Sequence, residues 1–382
     1  MRKPQINSYQ MCSKCILDTC DDPAISFDHE GICNYCHQYD ELAETHLMER
    51  KEREKKLYEI VNQIKASRKN KEYDCILGLS GGVDSSYLAY KVKNLGLKPL
   101  VVHYDNGWNS ELAVMNIEHI VSQLGFDLYT YVNNWEEFKD IQLAFLKASV
   151  IDIEAITDQG IAATLDILAR KKGINYILSG NNIVTEAILP ENWYHWKIDV
   201  LNIKAIHKKF GALKMKTYPT INFYQRLFMH YFPKTKVIPL LNYMDYNRNN
   251  AKQMLEVKLG WRDYGGKHYE SIFTRFYQGY ILPIKFNVDK RKAHLSTMIC
   301  SQQITRQQAL EEMKKPIYPP TQLKEDKEFV LKKLGLSDDE FEKIMKLPIK
   351  KHTDYPSYFN KHYKYQKWFA RKIGKLKRLA VR

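Results

Sequence analysis

Ser80-Gly81-Gly82-Val83-Asp84-Ser85-Ser86 sets two glycines, three hydroxyls and a carboxylate between the apolar run 75–79 and the helical Tyr87-Leu88-Ala89-Tyr90. A glycine pair at such a junction lets the backbone turn sharply and aim successive N–H groups at an anion. The serine hydroxyls add donors, and a helix N-terminus adds a field that favours phosphate. The loop lacks the Gly-Lys-Ser/Thr ending that grips β- and γ-phosphates in a P-loop. Ser80, Gly81, Gly82, Asp84, Ser85 and Ser86 are therefore the candidate phosphate ligands. An ordinary strand–turn–helix is the competing reading.

A second chemistry lies upstream. Five of the seven cysteines fall within the first 36 residues, four of them as Cys12-x-x-Cys15 and Cys33-x-x-Cys36. Thiolates at this spacing reach one tetrahedral ion, so structural zinc is expected on Cys12, Cys15, Cys33 and Cys36. Four thiolates leave no open coordination position, which assigns the site to stability. Cys20 is read as a spare thiol, with replacement of a ligand as the alternative.

Two further polar runs follow. His103-Tyr104-Asp105-Asn106-Gly107-Trp108-Asn109 offers His103 and Asp105, the latter a candidate for magnesium or for a helix cap. Ser179-Gly180-Asn181-Asn182 offers Gly180, Asn181 and Asn182, with Glu186 one turn later. Downstream, Gly265-Gly266-Lys267-His268-Tyr269-Glu270-Ser271 brings cations close to a glycine turn. Lys267 suits a leaving pyrophosphate, and His268 or Glu270 suits proton transfer. Arg275 and Lys290-Arg291-Lys292 are candidates for a substrate phosphate or carboxylate, although a basic run is more often solvated.

These residues need elements to hold them. Apolar runs at 75–79, 100–104, 128–132 and 176–179 read as strands. Helical segments are expected near 85–95, 110–124, 135–149 and 160–172. That alternation predicts a parallel sheet with crossover helices, and ligands bind at the carboxyl ends of such strands. Three of the polar runs fall there. Leu57, Ile60, Val61 and Ile64 mark one helix across 41–67. Residues 190–239 are aromatic-rich without clear alternation, and 303–382 read as mainly helical.

The chain has 382 residues, 44% of them hydrophobic, and a net charge of +15. Nine Lys and Arg from Lys361 to Arg382, with no acid among them, supply most of that excess, which weakens a nucleic-acid reading. The tail instead invites a peripheral contact with an anionic surface. The start, Met1-Arg2-Lys3-Pro4-Gln5, lacks a signal-peptide pattern, and a cytoplasmic location is expected.

SGGVDSS resembles the pyrophosphate loop of the PP-loop ATP pyrophosphatases. The order of cysteine pairs, SGGVDSS, Tyr-Asp-Asn-Gly-Trp-Asn and Gly-Gly-Lys-His-Tyr-Glu-Ser, over about residues 10–310, narrows this. It resembles the N-acetyl-sugar amidotransferases of bacterial surface-polysaccharide synthesis, the WbpG- and PseA-like family. The resemblance implies a zinc knuckle at 1–40, a linking helix at 41–70, and a parallel-sheet α/β ATP pyrophosphatase (adenine nucleotide alpha hydrolase-like) domain at 71–300. A helical basic extension would follow at 301–382.

The resemblance also implies ATP, Mg2+ and Zn2+, a nucleotide-linked acetamido sugar as substrate, and a role in O-antigen or related lipopolysaccharide synthesis. Ammonia would come from a separate glutaminase and its cyclase-like channel partner, with no obligatory nucleic acid. The reaction would turn an acetamido group into an acetamidino group. Asp84, Lys267, His268 and Glu270 would be catalytic. Ser80, Gly81, Gly82, Asp84, Ser85, Ser86, His103, Asp105, Gly180, Asn181 and Asn182 would bind ATP. The alternative is a PP-loop tRNA-modifying enzyme of thiolase or lysidine-synthetase type, against which the scarcity of cysteines beyond the first 36 residues counts.

Overall fold

The computed structural model describes residues 9–68, 71–222, 225, 234–266 and 269–361. Lys267, His268 and the basic tail beyond Lys361 lie outside them. The sheet is parallel throughout, with strands β1 (Cys75–Gly78), β2 (Pro99–Asp105), β3 (Asp127–Val132), β4 (Tyr176–Ser179) and β5 (Lys236–Pro239). Their spatial order is β3-β2-β1-β4-β5. Crossovers leave β1 toward β2 on one side, and β4 lies on the other. The loop after β1 therefore opens at a topological switch point, where crossovers part and leave a crevice. The four expected strands are all present. The fifth, β5, had no sequence signal.

The crossovers are helices as expected: α3 (Val83–Asn94), α4 (Glu111–Leu124), α5 (Trp135–Ala148) and α6 (Ala155–Lys172). The upstream helix is two pieces, α1 (Asn34–His46) and α2 (Arg50–Ser67), because Leu47 and Glu49 leave helical geometry. The predicted α2 stripe holds: Ile60, Val61 and Ile64 are buried against the sheet face formed by Leu77, Val101 and Leu178. The opposite face, Ile76, Leu100, Val102 and Ile177, packs on Leu168 and Ala169 of α6.

Residues beyond 300 share one core with the cysteine pairs: Val330, Leu331, Phe341 and Tyr355 join Cys12, Cys33, Tyr39, Phe145 and Phe276. The basic run 290–292 is absorbed in it. Arg291 pairs with Asp289, and Lys292 reaches Asp18 and Asp21 at 2.7 and 3.0 Å. Arg275 makes a bidentate pair with Asp326 at 2.7 and 2.8 Å, so it braces helix Ile272–Phe276 against helix Pro320–Leu334 instead of facing a substrate. No helix among the described residues is long and apolar enough to cross a membrane.

Candidate functional site

A cavity of about 670 Å3 opens at the carboxyl ends of β1, β2 and β4. Its floor is the Ser80–Ser86 loop, the candidate phosphate loop, with Gly82 at the N-cap of the 12-residue α3. Within the loop, Ser80 Oγ accepts the Gly82 N–H at 3.3 Å, and Ser85 Oγ donates to the Gly82 carbonyl at 3.2 Å. Gly81 has φ +83°, and its carbonyl accepts the Trp261 indole N–H at 2.8 Å. The Val83 N–H is bonded to the Tyr264 hydroxyl oxygen, so that oxygen stands where an anion at the helix terminus would be held.

Ser80, Gly82, Asp84 and Ser85 line the cavity, together with His103, Gly180, Asn181, Glu186 and Glu270. Gly180 brings the end of β4 against α3: a Cβ there would lie 3.0 Å from the Ser85 nitrogen and 3.1 Å from its Cα. Gly180→Ala should therefore push these backbones apart at a cost of about 1–3 kcal/mol. The expected readout is a raised KM for ATP with metal content unchanged; an unaltered KM would show that the close approach is not needed.

The remaining candidates do other work. Ser86 is fully buried on the inner side of α3, and Gly81 holds Trp261. Asn182 caps α7 (Ile183–Glu186) by accepting the Thr185 N–H at 2.9 Å. Asp105 takes the Gly107 N–H at 2.7 Å and the Asn109 amide at 3.0 Å, which makes it a turn brace. His103 lines the cavity with both nitrogens used: Nδ1–H donates to the Leu79 carbonyl at 3.0 Å, and Nε2 accepts from Asn109 at 2.9 Å. Burial holds its pKa below the ordinary histidine value, which suits this neutral role.

Several groups at or behind the cavity wall had no motif to announce them. Tyr246 donates to the Asp84 carboxylate, and burial together with that carboxylate drives the Tyr246 pKa far upward. Arg248, at the start of α8 (Arg248–Leu259), lies near enough to counter the upward shifts of both Tyr246 and Tyr264. Lys333, from helix Pro320–Leu334, donates to the Gly107 carbonyl beneath Trp108 and Trp135, with its ammonium 5.0 and 4.8 Å from their rings. The C-terminal region thereby fixes the loop after β2. Cys75 is buried in β1, and Cys300 Sγ lies 3.6 Å from Cys36, so neither presents a thiol to the cavity.

The pieces fit a bound nucleotide: a helix N-terminus, hydroxyl donors and a cavity of ligand size. Asp84, Glu186 and Glu270 supply hard oxygen atoms that suit Mg2+. Away from the cavity, the ligand atoms of Cys12, Cys15, Cys33 and Cys36 all lie within 4.8 Å of one another and are buried. The Cys12–Cys36, Cys15–Cys33 and Cys33–Cys36 sulfurs are 3.8, 3.7 and 3.7 Å apart. A tetrahedron with bonds of about 2.3 Å has edges of about 3.8 Å, so the set is compatible with zinc. Cys20 is exposed and outside this set.

Comparison with known proteins gives one family match: residues 270–370 match "LPS biosynthesis protein WbpG-like, C-terminal domain". No curated protein sequence matches the chain. Among solved structures, an NMN synthetase from Francisella tularensis is 21% identical over 36% of this chain, with a TM-score of 0.27; the match spans 56% of that protein's length. An NH3-dependent NAD synthetase from Campylobacter jejuni subsp. jejuni, solved with nitrate, is 13% identical over 79% of this chain and 98% of its own, with a TM-score of 0.29. The family match begins at Glu270 on the cavity wall and includes Lys333, which holds the loop after β2. The chain carries a WbpG-like C-terminal domain, in agreement with the WbpG-like family to which its motifs point.

Proposed function

We propose that the protein is an ATP-dependent amidotransferase that converts the acetamido group of a nucleotide-linked sugar into an acetamidino group. The observation that carries this reading is the meeting of two parts. Glu270, Ser271 and Thr274, at the start of the WbpG-like domain, line the same cavity as Ser80, Gly82, Asp84 and Ser85.

An amide is a weak electrophile with a poor leaving group. Attack of its oxygen on the α-phosphorus of ATP would release pyrophosphate and leave an O-adenylyl imidate. Ammonia would then add to the activated carbon, and AMP would depart. No protein nucleophile is required; positioning and charge compensation are. The loop N–H groups with Ser80 and Ser85 would hold the departing pyrophosphate. Arg248, with Lys267, would balance its charge. Mg2+ on Asp84 and Glu270 would supply further compensation for the phosphates. Zinc on the four cysteines would hold the knuckle. Ammonia would reach the site from a separate glutaminase through its channel partner.

The test incubates the protein with ATP, magnesium, ammonium and a panel of acetamido nucleotide sugars, followed by mass spectrometry. The expected product is lighter than its substrate by the difference between O and NH, and appears with equal AMP and pyrophosphate. ATP cleavage stimulated by tRNA and by no sugar would overturn the reading.

A further inference from the structure

A second cluster of charge occupies the cavity wall away from the phosphate loop. Asp152, Glu154 and Asp158 alternate with Ile151, Ile153 and Ile156 at the start of α6. Lys197 bridges two of them, 2.7 Å from Asp152 and 3.0 Å from Asp158. Glu154 is left over. Its Oε1 accepts the Thr274 hydroxyl at 3.1 Å, and among the described residues no donor is bonded to its other oxygen. Glu154, Thr157, Asp158, Lys197 and Thr274 all line the cavity. Thr274 lies about one helical turn beyond Glu270, whose Oε1 would be 3.5 Å from a Cβ on Gly82. The Glu154 carboxylate is thus tied to the phosphate-loop side of the cavity through one short helix.

We propose that Glu154 is the proton acceptor of the nitrogen-transfer step, held toward the acceptor carbon by Thr274. This rests on the amidotransferase reading above. The O-adenylyl imidate keeps the N–H of the original amide and so carries C=NH+. Ammonia adds through its lone pair to its carbon, and the C=N π pair moves to the sugar nitrogen, which becomes a neutral N–H. The adduct carries an –NH3+ group. Glu154 takes one of its protons and becomes a carboxylic acid. The lone pair of the resulting amine re-forms a C=N bond as the C–O bond breaks, AMP leaves, and the product is an amidinium.

The surroundings suit a carboxylate that gains and loses a proton near neutrality. Burial and the neighbouring Asp158 push the Glu154 pKa up to about 7, opposed by Lys290, Lys197 and the Thr274 hydrogen bond. Lys197 is already matched by Asp152 and Asp158. Lys290, at the start of helix Lys290–Cys300, has its own pKa pulled down by burial and by Lys197. Tyr277, a further titratable neighbour, stays protonated and donates to the Ile151 carbonyl.

Two assays on the full chain separate the half-reactions. Exchange of labelled pyrophosphate into ATP, with acetamido nucleotide sugar and no ammonia, reports adenylation. Amidine formation at fixed free ammonia reports nitrogen transfer. Glu154→Gln should keep exchange within about twofold and lose amidine formation by about a hundredfold or more. The wild-type amidine rate should fall as pH drops below neutrality, and that limb should vanish in Glu154→Gln. Thr274→Val, a near-isosteric change that removes the hydroxyl, should shift the limb to higher pH.

Equal loss of both assays in Glu154→Gln, or an unshifted limb in Thr274→Val, would overturn the assignment. Normal amidine formation by Glu154→Gln beside wild-type exchange would overturn Glu154 alone. A wild type with no exchange on any acetamido sugar would overturn the amidotransferase reading, and the assignment with it.

Discussion

Replacing Asp84 with Asn is expected to cut AMP formation by about a hundred- to a thousandfold, the loss typical of removing one group aimed at charge that develops during reaction. Asp84 stands in the first turn of α3, where the helix field stabilises a carboxylate, and it lines the cavity beside the loop. The Tyr246 hydroxyl donates to it, and burial keeps that hydroxyl protonated. Asn preserves the shape and an acceptor for Tyr246, so the fold should survive while the metal-attracting charge is lost. Rapid-quench measurement of AMP checks this, with zinc content and thermal unfolding as controls. Near-wild-type AMP formation would remove Asp84 from the phosphate site.

The second large effect concerns the cysteines. Structural zinc sites contribute apparent binding free energies of about 10–16 kcal/mol near neutral pH, so loss of one ligand should be severe. Cys33→Ser is expected to release the metal and lower the melting temperature strongly, and a chelator should do the same to the wild type. The damage should spread, because the knuckle is built into the body of the protein. Arg306 bonds the Cys15 and Cys12 carbonyls at 3.0 and 3.2 Å, and the Ile16 N–H reaches Ser296 at 3.4 Å. One residue along that helix, Thr297 holds the Ile188 N–H at 3.0 Å, just after α7 at the cavity edge. Cys20→Ser, an exposed position, should leave metal and stability unchanged. Elemental analysis with calorimetry decides, and retained metal in Cys33→Ser would contradict the four-thiolate site.

Much of this was legible in the chain because the signals are local. A glycine pair between an apolar run and a helix, a two-residue gap between cysteines, and apolar residues at helical spacing each carry their own meaning. Strand β5 was not legible: Lys236–Pro239 is a four-residue edge strand whose Val237 is exposed, so neither length nor alternation marks it. The basic run 290–292 misled because its partners lie far away in sequence. Lys292 pairs with Asp18 and Asp21, more than 270 residues earlier. Tyr246 and Arg248 join the site by folding alone. Glu154 did leave a trace, three acids threaded through isoleucines at the start of a helix, a pattern costly to bury without a use. Lys267 and His268 lie outside the described residues.

The most direct measurement follows the acetamido oxygen. With heavy oxygen in the acetamido carbonyl of a nucleotide sugar that the protein turns over, attack on the α-phosphorus predicts the label in the phosphate of AMP and unlabelled pyrophosphate. Label in inorganic phosphate with ADP as co-product, or AMP without label, would contradict adenylation of the amide oxygen.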